Sequence, residues 1–391
     1  MWYNSNRFRI TDFRLLCLLK ICNLKSLISL KKMAKQVSYL GIDLSPDSIK
    51  LVELVSENGK PKLVTYGYTE SKSDVLKGDF VNNKNLTATL LKELADRAKV
   101  TTNLAAAALP ISLVFSTVIK LFNLPKKDID NKARIKSLLA EELKKILPRP
   151  LEEVVFDFNV IVDEDVEKAA SGQKLAVVRF LVTASTNEVV KKYLDIFKQA
   201  NFQLTNLDIE SFALVRSLVG VDRSLILLVD IGENLTTLSI VNYAMPILNR
   251  TINYGGSIIT KTIADNLNIS IAEAENYKLD LAIMMQQQSM TTYPKIIEDA
   301  LAPLVTEIRY LLKTYYEQMG QQKILDKVVL TGGGCLLGNF LDRYLTNTLN
   351  LRAYVGDPWA RIVYPEELRP VLLEIGPRFA VALGLAMRDI I

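Results

Sequence analysis

Two stretches of the chain repeat the same order of apolar and polar segments. After residue 37, and again after residue 225, three short apolar or alternating runs predict a strand meander, which a helix and a further strand follow. An Asn58-Gly59 pair between two such runs favours a hairpin. The duplicated order predicts an α/β chain with two similar halves and a cleft between them. Strands are predicted at 37–44, 49–56, 62–69, 103–110, 204–209, 225–231, 236–242, 246–253 and 327–331.

A block of different character interrupts the first half at about residues 111–185. It combines strands with one amphipathic helix at 127–147, which Pro148 ends. In the second half, Ser270 and Glu273 have the spacing of a capping box, and Pro303 predicts a kink or a restart in a long helix. The strands of the block are predicted at 116–124, 153–162 and 174–185. Other helices are predicted at 85–100, 187–200, 210–219, 256–267, 270–285, 295–318, 337–349 and 378–391.

These patterns divide the chain into an extension and two lobes. Residues 1–36 are predicted to be an N-terminal extension outside the fold, 37–219 a first lobe that includes the inserted block, and 220–391 a second lobe. Residues 1–32 hold seven basic residues and one acid, so the formal net charge of +5 belongs to this segment and the remainder is near neutral. Bulk charge therefore gives no reason to expect nucleic-acid binding.

Composition excludes several kinds of chemistry. The chain has no histidine, which rules out histidine triads, histidine–metal sites and histidine proton shuttles. Three cysteines cannot form a disulfide framework and fit a reducing cytosol. The chain has no run of 18 uncharged apolar residues, so no membrane-spanning helix is predicted. Chemistry would therefore depend on carboxylates, lysine, hydroxyls, backbone dipoles or a bound metal–nucleotide.

Three loops carry residues suited to a phosphorylated ligand. In each half a strand ends in Asp at a tight turn, and a third strand runs into a glycine triplet before a helix. Backbone N–H groups and hydroxyls of facing turns can hold phosphates, and an Asp at each strand end can hold the waters of Mg²⁺. Glycines let a nucleotide approach the backbone, although a triplet is also a simple strand-to-helix connection. The candidates are Asp43, Ser45, Asp230, Gly232, Thr236, Thr237, Gly332, Gly333 and Gly334.

The order of these loops resembles the actin/Hsp70/sugar-kinase superfamily. The resemblance implies a duplicated, ribonuclease H-like two-lobe fold with ATP and Mg²⁺ in the cleft, where Asp43 and Asp230 reach the metal through water. Glu275 and Lys278 resemble the A-E-x-x-K element that holds the nucleoside, although a surface ion pair explains the same spacing. Glu210 occupies the place of a water-orienting carboxylate, or is simply a helix N-terminal acid. Ser48, Lys50 and Gly256 complete the implied nucleotide site.

Within this superfamily the chain is most similar to the PilM family of type IV pilus machines. The similar stretches span nearly all of 38–389, and the inserted block resembles the relocated subdomain that this family shares with the FtsA division proteins. They include LGIDLSPDSIKLVEL, LPRPLEEVVFDFNV, DIGENLTTLSI, YGGSIITKTIA, VVLTGGGCLLGNF and PRFAVALGLAMRD. One departure is that Ser45-Pro46 replaces the usual glycine and hydroxyl residue. Pro46 has no N–H and Ser45 tolerates positive φ poorly, so weaker phosphate binding is expected there.

The resemblance implies an ATP-binding cytoplasmic scaffold with slow or no ATP hydrolysis. Its expected partner is the N-terminal peptide of a PilN-like inner-membrane protein, bound in a groove between the first lobe and the inserted block, where an open strand edge can pair with it. This partner would bring the chain to the inner membrane. Self-association and contacts with other pilus proteins are compatible with the resemblance, as are type II secretion and competence systems.

Three alternatives stay open. An FtsA-like division protein would carry a linker and an amphipathic helix after the last core helix, and the chain stops at Ile391. A sugar or acetate kinase would need a catalytic Asp beside a polar sugar pocket, and no such motif is evident. An Hsp70-like chaperone would need a further substrate domain.

Overall fold

The computed structural model describes residues 37–70, 80–161, 166, 174–287, 294–319, 324–336 and 340–390. The predicted extension at 1–36 lies outside the described residues. So do almost all of the predicted loop at 163–173 and the predicted helix start at 337–339.

The first five-stranded sheet begins with the predicted meander. The turn at Asn58-Gly59 has positive φ at both residues, as a two-residue hairpin requires. The strand order is β3-β2-β1-β4-β8, and β4 lies parallel to both of its neighbours. These strands are β1 (Ser38–Ser45), β2 (Ser48–Glu57), β3 (Lys60–Glu70), β4 (Leu104–Leu109) and β8 (Gln203–Ile209).

The second sheet repeats this arrangement, which confirms the predicted duplication. Its order is β11-β10-β9-β12-β13, again a meander joined to parallel strands. The short strand β13 was not predicted, because it is only four residues long and begins with exposed Arg352. Its strands are β9 (Ile226–Ile231), β10 (Thr236–Asn242), β11 (Met245–Ile252), β12 (Lys327–Thr331) and β13 (Arg352–Val355).

The helices cover the faces of the two sheets. The 210–219 segment is a short α-helix followed by a π-helical turn at Val215–Val219. Pro303 does not restart its helix, which runs without a break because a stripe including Leu301, Leu304 and Ile308 is buried in the second-lobe core. The capping box is confirmed, since Ser270 and Glu273 bond to each other. The helices are α1 (Lys84–Ala98), α2 (Lys132–Ile146), α3 (Asn187–Gln199), α4 (Glu210–Leu214), α5 (Gly256–Leu267), α6 (Ile271–Gln287), α7 (Lys295–Met319), α8 (Phe340–Leu349) and α9 (Arg369–Ala386).

The last helix corrects two predictions. It begins at Arg369 rather than 378 and continues through Pro377, and it ends at Ala386 rather than 391. It packs closely on the first sheet, where a Cβ at Gly41 of β1 would lie only 2.0 Å from the Ala382 carbonyl oxygen. Its opposite side shares a buried cluster with Ile226, Leu228 and Val329 of the second sheet. Helix α9 therefore contacts both sheets, and the boundary of the lobes at residue 220 stays a prediction.

The inserted block forms a three-stranded sheet with one helix on its inner face. The order is β5-β7-β6, with β5 (Phe115–Pro125), β6 (Val154–Ile161) and β7 (Lys174–Thr186). Helix α2 starts later than predicted because residues 126–128 form a 3₁₀ turn and Asn131 caps the helix by accepting from the Arg134 amide. On the other face of the sheet, Ile161 and Leu181 are buried against the second-lobe core. The block therefore contacts both lobes.

Candidate functional site

A large cleft lies between the two sheets. Its volume is about 1410 Å³. The turns that end β1 and β9 line it, together with the glycine turn after β12 and the start of α5. Equivalent ends of the two duplicated sheets therefore face one cavity.

Three carboxylates gather in the floor of this cleft. Asp43 is buried and accepts a hydrogen bond from Lys50 Nζ at 3.1 Å, and Glu210 accepts from the Ile111 amide at 3.3 Å. Burial, together with the nearby charge of Asp43, raises the pKa of Asp230 to about 6. Burial and the charges of Asp43 and Asp230 also raise the pKa of Glu210 well above its usual value. The floor is therefore short of positive charge, and a cation would be stabilised there.

The turn between β1 and β2 is tight and internally bonded. The Ser45 hydroxyl donates to the Ser48 carbonyl at 2.9 Å and lies 3.0 Å from the Ser48 hydroxyl. Ser45 belongs to strand β1 and is not among the described residues with positive φ, so the expected strain is absent. Pro46 and Asp47 occupy the two turn positions. The missing N–H of Pro46 is therefore the remaining departure from the family pattern.

The loop between β9 and β10 is longer and is braced by α5. The Gly232 amide donates to the Leu235 carbonyl at 2.9 Å, and the Gly256 and Ser257 amides donate to the carbonyls of Gly232 and Glu233. The Asn234 side chain donates to Asp47 at 2.8 Å. This hydrogen bond joins the loops of the two halves across the cleft.

The glycine triplet is the third wall of the cleft. Gly332 has φ +87°, and a Cβ there would lie 2.3 Å from the Ile231 carbonyl oxygen. A Cβ at Gly334 would meet the Ile231 side chain at 2.4 Å. Gly333 differs, because the nearest atom to a Cβ there is Arg378 Nε at 3.5 Å, an ordinary contact. The fold itself requires Gly332 and Gly334, whereas Gly333 faces space that a ligand could fill.

A polar corner lies beside this wall, at the packing of α5 and α6. Lys278 Nζ donates to Glu275 at 2.6 Å and to the Thr260 hydroxyl at 2.7 Å, and Thr260 also donates to Glu275 at 2.5 Å. Burial alone would raise the pKa of Glu275, but the hydrogen bonds from Lys278 and Thr260 outweigh it and lower that pKa. Lys278 is buried. The pair is thus part of a fixed network at the cleft, not a freely solvated surface ion pair.

All but one of the predicted site residues line the cleft, and the exception is Thr236. Its side chain is fully buried, and its hydroxyl donates to the Tyr254 carbonyl at 2.7 Å. Because side chains alternate along a strand, Thr237 faces the cleft and Thr236 faces the core. The expectation that the Thr236 side chain contacts phosphate is therefore corrected. The residues that do line it are Asp43, Ser45, Ser48, Lys50, Glu210, Asp230, Gly232, Thr237, Gly256, Glu275, Lys278, Gly332, Gly333 and Gly334.

Sequence reasoning missed several side chains of the cleft, among them Thr260 and Arg378. Thr260 lies one turn into α5, and the glycine pair that opens this helix was a usable signal for it. Arg378 reaches the cleft from α9, about 45 residues after the glycine triplet, and no local pattern pointed to it. Only the packing of α9 on the first sheet brings this guanidinium to the cavity.

Two features are absent from the part of the chain that is described. No group of three or more carboxylate or cysteine side chains is placed to hold a metal ion directly. No helix there is both long and apolar enough to cross a membrane.

Comparisons with known proteins find one family model and several related proteins. The family described as type IV pilus assembly protein PilM matches residues 41–390. A solved chain described as the PilM–PilN type IV pilus biogenesis complex is 27% identical, with a TM-score of 0.71 over 91% of this chain and 99% of that one. Cell division protein FtsA of Streptococcus pneumoniae is 21% identical, covering 79% of this chain and 73% of that protein.

A more distant structure shares the fold alone. Ethanolamine utilization protein EutJ from Carboxydothermus hydrogenoformans is 15% identical, with a TM-score of 0.50 over 96% of this chain and 99% of that one. These relatives confirm the predicted two-lobe, actin-like fold.

Proposed function

The chain belongs to the PilM family of type IV pilus assembly proteins, and from that premise we propose that it is a nucleotide-binding scaffold of pilus assembly. It binds ATP with Mg²⁺ in the cleft and holds the N-terminal peptide of a PilN-like inner-membrane protein. The observation that carries the proposal is a single cleft at which loops of both duplicated sheets meet.

Nucleotide binding is supported by the distribution of charge and glycine in this cleft. Thr237 and the turns after β1 and β9 offer hydroxyl and amide donors for phosphates. Lys50 supplies positive charge at the same end. The room beside Gly333, where a Cβ would make only ordinary contacts with Arg378, and the Glu275–Lys278 pair suit the nucleoside. The residues present therefore fit the nucleotide that the family resemblance implies.

The carboxylates also fit Mg²⁺. Bound there with the triphosphate, the ion would supply positive charge that screens the phosphates. Within the described residues no direct ligand cluster exists, so Asp43 and Asp230 would hold the ion through its water shell. The raised pKa of Asp230 reflects burial beside another negative charge, and such an ion would supply the missing positive charge.

Hydrolysis is proposed to be slow. Glu210 begins α4 at the cleft floor, where its carboxylate can orient a water molecule. Burial beside Asp43 and Asp230 raises its pKa, so the ionised form is disfavoured unless a cation offsets their charge. A turnover below about 1 s⁻¹, the low end for dedicated phosphoryl-transfer enzymes, is expected in the purified full chain.

Gly333→Val tests nucleotide binding directly. The isopropyl group would enter the ligand space while the nearest protein atoms leave room for its Cβ, so isothermal titration with Mg·ATP should show at least a 100-fold loss of affinity. Ala360→Val, an exposed change outside the cleft, is the matched control. Unchanged affinity in the Gly333 variant would show that the nucleoside does not bind at this wall. A wild-type chain that binds no nucleotide would contradict the proposal.

Partner binding is supported by the size and shape of the same cleft. Its volume of about 1410 Å³ exceeds the roughly 300–1,000 Å³ of ordinary small-ligand pockets. Beyond the carboxylates, apolar side chains line part of its first-lobe end, where the inserted block leaves the first lobe. Edge strand β5 begins at Phe115, beside this end, and pairs with β7 on one side. An extended peptide can therefore combine side-chain burial with backbone pairing. The apolar lining consists of Phe80, Val81, Ile111, Leu113 and Val189.

Leu113→Lys tests this position for the peptide. A charge there should weaken binding of a fluorescent N-terminal peptide of the organism's own PilN protein by at least 10-fold in an anisotropy titration, while Mg·ATP affinity stays unchanged. Phe122→Lys, an exposed site farther along β5, is the control. Equal peptide affinity in the Leu113 variant and the wild type, with matching melting temperatures, would place the peptide elsewhere. Recruitment to the inner membrane then follows from this partner.

A further inference from the structure

Arg378 is the cleft residue whose origin is least expected. It lies in α9, directly after Pro377, whose carbonyl accepts from the Gly332 amide at 3.0 Å and the Thr331 hydroxyl at 3.0 Å. Helix α9 is thus bonded to the strand that leads into the glycine triplet. The same helix packs on the first sheet through Gly41 and Ala382. Arg378 therefore lies on a helix that packs on the first sheet and is bonded to the second.

Its side chain lies at the proposed nucleoside end of the cleft. Around the position of a Gly333 Cβ, Arg378 Nε, Cγ and Cδ lie 3.5, 3.7 and 4.0 Å away. Its charge is also one of the influences that lower the pKa of Glu275, after the hydrogen bonds from Lys278 and Thr260. The guanidinium therefore faces the Gly333 and Glu275 side of the cavity. Lys50, in contrast, is the cation paired with the carboxylate floor.

We propose that Arg378 determines nucleoside specificity by stacking its guanidinium on the purine base. The inference rests on the proposed nucleotide binding and deepens it. A planar guanidinium stacks on aromatic faces, which an ammonium group does less well. A purine offers a larger π face than a pyrimidine. A base at Gly333 would contact both α9 and the glycine wall, whereas a bare triphosphate would contact the phosphate loops and the carboxylate floor.

The test compares three ligands against three variants of the full chain. Arg378→Ala removes the stacking group, and Arg378→Lys keeps the charge without the plane. Arg369→Ala removes the same charge from the exposed start of the same helix, where Arg369 pairs with Glu366. Affinities for ATP, CTP and tripolyphosphate are measured by calorimetry with Mg²⁺, and melting temperatures check the fold.

The expected result is a loss of the affinity that the base contributes, with the contribution of the phosphates unchanged. Arg378→Ala should weaken ATP binding by about 2- to 30-fold, the range of a cation–π contact, and should reduce the preference for ATP over CTP. Tripolyphosphate affinity should not change. Arg378→Lys should give an intermediate loss for ATP, and Arg369→Ala should match the wild type. If Arg378→Ala lowers the melting temperature, the ratio of ATP affinity to CTP affinity in the Arg378→Lys variant is used as the test instead.

Two outcomes would overturn the inference while leaving nucleotide binding intact. Equal losses for ATP and tripolyphosphate would make Arg378 a phosphate ligand. An unchanged ATP-to-CTP ratio in both variants would give it no role in reading the base. A wild-type chain that binds neither nucleotide would overturn the proposed function together with this inference, so the two failures are distinguishable.

Discussion

The hairpins β1–β2 and β9–β10 occupy equivalent places in the two sheets but differ in charge. In the first, Asp43 lies opposite Lys50 in the antiparallel register, and the two form a salt bridge at 3.1 Å. In the second, Asp230 lies opposite Thr237. The pKa of Asp230 is raised to about 6 by its burial and by the charge of Asp43. This one difference in cross-strand partner leaves Asp43 paired with a cation and Asp230 without a cation opposite it.

The turns differ in the same sense. The first has two residues, one of them Pro46, and its serines bond to each other. The second has four residues, begins with Gly232 and is braced by the first amides of α5. The first hairpin is therefore suited to supply charge through Lys50, and the second to supply hydroxyl and backbone donors. The two halves therefore share the same strand arrangement but offer different groups to a ligand.

Lys50→Thr makes the first hairpin like the second and should have the largest effect. It leaves buried Asp43 without its cation, which costs about 3–5 kcal/mol of folding free energy. It also removes positive charge from the floor, so Mg·ATP affinity should fall by about 10- to 100-fold. Denaturant unfolding and calorimetry measure the two effects. Lys62→Thr, at an exposed ion pair on β3, is the control, and similar stability of both variants would contradict the proposed division.

Asp230→Asn should have an intermediate effect with a characteristic pH dependence. The raised pKa means that ionising Asp230 disfavours the folded state, so the contribution of this group to stability is fully present below about pH 4 and is lost as pH rises through about 6. The ligand-free variant should therefore be more stable by roughly 3 kcal/mol well above pH 6, with the difference vanishing near pH 4.

Mg·ATP should reverse this order. The wild type gains stability from the bound ion and the variant gains less, so its melting temperature should rise less on ligand addition. Melting curves from pH 4 to 8, with and without Mg·ATP, give the measurement, and exposed Asp265→Asn serves as the control. A stability difference that does not vary with pH would argue against the electrostatic cause.

Pro46→Gly makes the first turn resemble the second and should have the smallest effect. Loss of the proline ring raises the conformational entropy of the unfolded chain and lowers stability by about 0.5 kcal/mol. The restored N–H adds one donor at the phosphate end, so ATP affinity should rise by about 2- to 10-fold, as for one net hydrogen bond. Pro365→Gly, outside the cleft, controls for backbone entropy. An unchanged affinity would show that the first turn does not contact phosphate.

Local pattern predicted most elements of the fold. The meanders, the Asn58-Gly59 hairpin and the capping box at Ser270 all follow from interactions between residues near in sequence, and the structure confirms them. Local pattern failed where tertiary packing outweighed it. The helix predicted to begin at 378 begins at Arg369 and contains Pro377, and β13 was missed because it forms by pairing with β12.

The candidate site divides in the same way. The repeated Asp turns and the glycine triplet can be recognised in the sequence because their residue types are suited to a phosphorylated ligand. The duplicated pattern then predicted that they meet in one cleft. It could not decide which of two adjacent threonines faces that cleft. Thr237 does so, and Thr236 bonds to Tyr254 instead.

By itself, the amino-acid sequence determined the duplicated α/β frame, the family and the loops that carry the chemistry, because these depend on periodicity and on residue types at short spacing. Only the tertiary structure decided that α9 returns to pack on the first sheet and brings Arg378 to the glycine wall. It also decided that Asp230 has no cation opposite it in the sheet. Both depend on contacts between residues far apart in the chain, and no local pattern encodes such contacts.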